Sequence, residues 1–97
     1  MSIQEDRRRR LAVDRDIAKP RQLAHVVRRT ARFEELVRWY CTVLGTDVVH
    51  SDGTLAFLAY DDEHHRIAIA GIPGLEEQSM MAAGTDHIAF AYGDLGV

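Results

Sequence analysis

Phe33, Leu36, Val37, Tyr40 and Leu44 recur at the spacing that lines one face of an α-helix with apolar side chains. Glu34, Glu35 and Arg38 fall on the opposite side. The two acids sit in the first turn, where they complement the helix dipole. Thr30 is placed to cap the start, and Gly45 to end the helix in a left-handed conformation. One amphipathic helix cannot bury its own stripe, so the rest of the chain must supply the surface it lies on.

That surface reads as β-structure. Residues 23–27 (Leu-Ala-His-Val-Val) precede the helix and read as a strand, with Leu23, His25 and Val27 on one face. After the helix, residues 47–51 read as a second strand. Asp52-Gly53 is a two-residue hairpin signal of type I′, and residues 54–60 form a third strand. Asp61, Asp62 and Glu63 make a solvated turn. Residues 66–70 are small or β-branched and end at Gly71-Ile72-Pro73-Gly74, which reads as a buried fourth strand. Strict alternation would put His65 with Ile67 and Ile69, and His64 with Arg66, Ala68 and Ala70. Residues 86–92 (Asp-His-Ile-Ala-Phe-Ala-Tyr) read as a fifth strand with His87, Ala89 and Ala91 on one face.

The expected architecture is therefore α+β. A polar basic arm (1–21) leads into a βαβββ module (22–73) and a connector (74–84). Residues 85–97 open with a strand that echoes the first: Ala24-His25-Val26-Val27 and Asp86-His87-Ile88-Ala89 share one pattern. The latter reads as the start of a further, incomplete module.

Composition narrows the function classes. A chain of 97 residues holds at most one domain. No apolar run approaches the ~20 residues of a membrane span, and the charged N-terminus lacks the apolar segment of a secretory signal. The single Cys41 cannot form an internal disulfide, which fits a reducing cytoplasm. Residues 1–38 hold eleven Arg and Lys against six acids, while residues 39–97 hold one against nine. Acids interrupt the basic arm and no aromatic residue is interleaved with it, so nucleic acid is not the expected partner. Trp39 and Cys41 read as packing residues. His50 and His64 are expected to face solvent or the helix.

Four segments together carry a family resemblance. They are Ala24-His25-Val26-Val27, the helix from Phe33 to the Leu44-Gly45 end, and His64-His65-Arg66-Ile67-Ala68-Ile69-Ala70 followed by Thr85-Asp86-His87-Ile88-Ala89-Phe90. Over residues 22–92 the chain resembles the type I extradiol ring-cleavage dioxygenases of the vicinal oxygen chelate superfamily, in particular the 2,3-dihydroxybiphenyl dioxygenases. The helix ending is shared widely in that superfamily. The double histidine before an Ile-Ala-Ile strand is more specific to the ring-cleaving branch.

The resemblance implies an Fe(II) enzyme acting on a catechol-type small molecule. It makes His25 and His87 metal ligands and His65 the acid/base. Two imidazoles and one carboxylate leave open positions on iron for a chelating diol and dioxygen, and a neutral imidazole nearby can move a proton at neutral pH. The third ligand, a glutamate from late in the second module, has no counterpart before Val97. The expected assembly is a homodimer or higher oligomer, with the 86–92 strand exchanged between chains so that modules pair. The rival expectations are a non-catalytic binding or assembly module of the same fold, and another superfamily activity, glyoxalase-like or antibiotic-sequestering.

Overall fold

The computed structural model describes residues 16–94. The apolar stripe becomes helix α1, Phe33–Leu44. Four strands accompany it: β1 (Val26–Thr30), β2 (Asp47–Ser51), β3 (Leu55–Ala59) and β4 (Ile67–Gly71). They form one sheet in the order β1-β4-β3-β2. The pairing of β1 with β4 is parallel, and the other two pairings are antiparallel. The α+β reading and its βαβββ order are thus the fold.

The helix lies on one face of the sheet. Tyr40, Ala56, Leu58, Ile67 and Ile69 are buried there, and Phe33, Leu36, Val37, Cys41 and Leu44 pack around them. Leu58, Ile67 and Ile69 are the largest fully buried side chains, each worth ~1.5–3 kcal/mol of transfer free energy. Gly45 ends the helix at φ 66°, its N–H donating to the Cys41 carbonyl. Gly71 closes β4 against the helix start. A Cβ there would lie 2.8 Å from that of Phe33, so only glycine lets the two backbones approach this closely.

Several local expectations change. β1 starts at Val26, not Leu23, because its ladder begins where β4 begins, with Val26 opposite Ile67. The carbonyls of Leu23 and Ala24 accept from the Arg66 guanidinium instead. Thr30 ends β1 and is not the helix cap. Arg32 holds that position without a side-chain cap bond, while the Thr30 hydroxyl accepts from the Arg32 N–H. The turn between β2 and β3 is not type I′, which needs positive φ at both central residues. Only Gly53 has it, and Asp52 secures the loop by accepting from the N–H groups of Thr54 and Leu55. Trp39 is 51% exposed rather than packed, although its ring meets Tyr40 edge-on.

The expected fifth strand at 86–92 forms no ladder. A strand exists only by pairing, and neither outer strand of this sheet pairs with it. Its two-residue rhythm survives in burial: Ile88 and Phe90 are half-buried, while His87, Ala89 and Ala91 are exposed. Phe90 packs against the core cluster and meets Tyr60 edge-on at 6.2 Å. The segment is laid on the module by side chains, not by backbone hydrogen bonds. Of the basic arm, residues 1–15 lie outside the described residues, and 16–21 are exposed without helix or strand.

Candidate functional site

On the sheet face away from α1, ring side chains form a row across all four strands. Ala56 and Leu58 point to the helix, so Phe57 between them points away. His50 lies opposite Phe57 in the β2–β3 register, with ring centroids 5.4 Å apart. His65 stacks on the other side of Phe57 at 4.4 Å and 12°. His25, just before β1, meets His65 at 4.4 Å. The order is His50, Phe57, His65, His25. Phe57 and His65 are half-buried, His25 and His50 exposed.

His50 and Phe57 are placed by their strands, His25 and His65 by the residues just ahead of β1 and β4. The pairing of β2 with β3 shifts register between Val48 and His50. This irregularity sets His50 opposite Phe57. His65 departs from the expected alternation with Ile67 and Ile69. Regular β4 geometry begins only at Ile67, and residues 61–64 and 66 are bends, so the alternation rule does not reach back to residue 65. His64 is exposed, as expected. The expectation for His50 was solvent or the helix side; although half-exposed, it belongs to the ring row. Counting back from a two-residue Asp52-Gly53 loop would set His50 opposite Leu55 instead, so the sequence carries no signal for this contact.

Of the three histidines singled out by the sequence, two come together. His87 is not in the row. Its Nδ1 lies 2.9 Å from an Asp86 carboxylate oxygen, and both side chains are largely in solvent. Among the described residues, no group of three His, Cys, Asp or Glu could hold a metal ion. The described residues therefore do not fit the two-imidazole, one-carboxylate iron site that the resemblance implies.

Electrostatics beside the row centre on Asp61 and Arg66. The guanidinium hydrogen-bonds both Asp61 carboxylate oxygens. Those bonds hold the Asp61 carboxyl below the ordinary carboxylate range and push Arg66 up. Asp61 is thus more than part of a solvated turn. Cys41 is half-buried on α1, with the Thr46 hydroxyl 3.5 Å from its sulfur, in keeping with a packing role. A cavity of about 330 Å³ opens on the helix side instead, lined by Arg28, Arg32, Leu36, Trp39 and Tyr40. There Arg28 donates to the Tyr40 hydroxyl at 3.0 Å. Sequence reasoning gave no sign of it.

Residues 22–96 match the family described as the glyoxalase/bleomycin resistance protein/dioxygenase superfamily. Two curated relatives come from Rhodococcus globerulus. Biphenyl-2,3-diol 1,2-dioxygenase 2 is 46% identical over 76 residues, and biphenyl-2,3-diol 1,2-dioxygenase 3 is 40% identical over 77. Each alignment covers 77% of this chain but only 40% of the relative. No solved structure gives a significant match.

Proposed function

The chain belongs to the glyoxalase/bleomycin resistance protein/dioxygenase superfamily, and from that premise we propose that it is one module of an extradiol-type dioxygenase acting on a vicinal aromatic diol. The observation that carries the reading is the contact of His25 with His65 beside the Phe57 ring. An imidazole half-buried against an aromatic ring keeps little water around it and can exchange a proton with a bound phenol. His65 is assigned that acid/base role. His25 and His87 are assigned as metal ligands for iron. The missing carboxylate must come from outside the described residues, either from a second copy or from a further polypeptide segment.

A homodimer supplies such a partner if residues 86–92, which lack a ladder here, pair with a neighbouring copy. No helix among the described residues is long and apolar enough to cross a membrane, and the lone Cys41 supports a cytoplasmic setting.

The test is iron content and ring opening with 2,3-dihydroxybiphenyl, followed by the yellow product. The expected result is product formation by the oligomeric, iron-loaded protein, abolished by His65→Ala. Absence of both bound iron and product in every oligomeric fraction removes the enzymatic reading.

A second reading, a non-catalytic binding or assembly module, is favoured by the absence of a three-ligand group among the described residues. Its mark is an oligomer whose thermal stability is indifferent to chelators and to His87→Ala. A glyoxalase-like or antibiotic-sequestering role draws on the same fold, but the double-histidine segment and the diol dioxygenase relatives favour the ring-cleaving branch.

A further inference from the structure

We infer that Arg66 is the positioning residue that holds His25 against His65. His65 immediately precedes Arg66 in the chain. His25 is flanked by two residues that are both tied to Arg66: Nη1 donates to the Ala24 carbonyl at 3.0 Å, and the Arg66 carbonyl accepts from the Val26 N–H at 3.0 Å. Nη1 also donates to the Leu23 carbonyl at 2.7 Å. The two imidazoles are therefore placed from a single residue, although they lie forty positions apart in sequence.

The guanidinium is itself fixed. Nε and Nη2 grip the Asp61 carboxylate at 2.9–3.1 Å, and Nη2 reaches the Gln22 side chain at 3.5 Å. All five N–H donors of the fork are thus directed at acceptors. The Arg66 side chain is only 13% exposed, so water competes little for those bonds. Gln22 in turn donates to Glu63 at 3.4 Å, tying the segment before β1 to the β3–β4 turn a second time.

This clamp explains why His25 keeps its place although regular pairing of β1 starts only at Val26. Without the guanidinium, the hydrogen bonds left to hold this segment would be the Val26 bond and the weak Gln22–Glu63 contact. Lysine cannot replace arginine here. A single ammonium has no planar fork to serve two carbonyls and a carboxylate at once.

The inference rests on the reading of His25 and His65 as a working pair, but its test needs neither iron nor diol. The measurement is the nuclear Overhauser effect between the His25 and His65 ring protons in the full chain, beside that between the methyls of Leu58 and Ile67. In wild type both are present. In Arg66→Lys and Arg66→Met the ring signal is expected to disappear while the core signal stays. Asp61→Asn, which leaves the guanidinium without its charged anchor, is expected to weaken the ring signal to an intermediate level. Ring signals undiminished in both Arg66 variants would overturn the inference. So would loss of ring and core signals together in all three variants, since Arg66 would then support the whole fold rather than the pair. Failure of ring opening with the clamp intact would instead count against the dioxygenase reading alone.

Discussion

The two faces of the sheet lie back to back, yet they are made for different ends. Toward α1, Ala56, Leu58, Ile67 and Ile69 are sealed from water. Toward the other side, His50, Phe57, His65 and His25 form a row that is only partly covered. One face holds the fold together and the other presents imidazoles. A one-residue slip of β3 would bring Phe57 to the helix face and Ala56 and Leu58 to the ring face, so the packing of Leu58 also fixes where Phe57 meets the imidazoles. The comparison predicts that substitutions on the helix face cost stability in proportion to burial, while those on the ring face cost little.

Leu58→Ala is expected to have the largest effect. Leu58 is fully buried on a central strand, and loss of a buried leucine side chain costs ~2–5 kcal/mol. In a chain with so small a core, that is enough to populate the unfolded state at ambient temperature. The urea midpoint checks it. Gly71→Ala follows, since the new Cβ would meet Phe33 at 2.8 Å. Overpacking of this kind costs ~1–3 kcal/mol. The clash falls on backbone-anchored Cβ atoms, so repacking a flexible side chain cannot relieve it.

Phe57→Ala probes the other face. Phe57 is half-buried and contacts two imidazoles, so the expected loss is smaller, about 1–2 kcal/mol, much of it from ring stacking. Equilibrium unfolding of this variant beside Leu58→Ala measures the asymmetry directly. A Phe57→Ala loss as large as that of Leu58→Ala would mean that the ring face is a second core, and the division of labour would fail.

This asymmetry also decides what the sequence could reveal. The helix stripe and the β-meander were legible because each follows a period that burial enforces, and burial there is nearly complete. The resemblance gives His25 and His65 roles, but their ring contact was not legible in the sequence. Alternation alone puts His65 on the wrong face, because the chain bends at residue 66 before regular β4 begins. His50 escapes a reading of the sequence because its position depends on a register shift in β2, which no periodicity announces. Residues 86–92 keep their two-residue rhythm but not their strand, since a rhythm specifies a face and cannot supply a partner. The Arg66 clamp is invisible for a similar reason: it joins segments whose proximity only the β1–β4 pairing creates.

The smallest effects belong to two carboxylates that pin loops at either end of β3. Backbone N–H groups of Thr54 and Leu55, with the Thr54 hydroxyl, hold Asp52 below its ordinary value. The Arg66 guanidinium does the same for Asp61. A carboxyl whose folded pKa is lowered binds its proton more readily in the unfolded chain. Its contribution to stability is complete above the ordinary carboxylate pKa, ~3.9, and is lost as pH falls through the lower folded value. Thermal midpoints should therefore hold level from neutral pH to about pH 5 with respect to these two groups and decline below it. Asp52→Asn and Asp61→Asn should each flatten that decline. Only the second should also disturb the His25–His65 contact, because only Asp61 anchors the guanidinium that reaches Leu23 and Ala24. Equal disturbance of the ring pair by both variants would show that loop order in general, and not the Arg66 fork, sets the imidazole face.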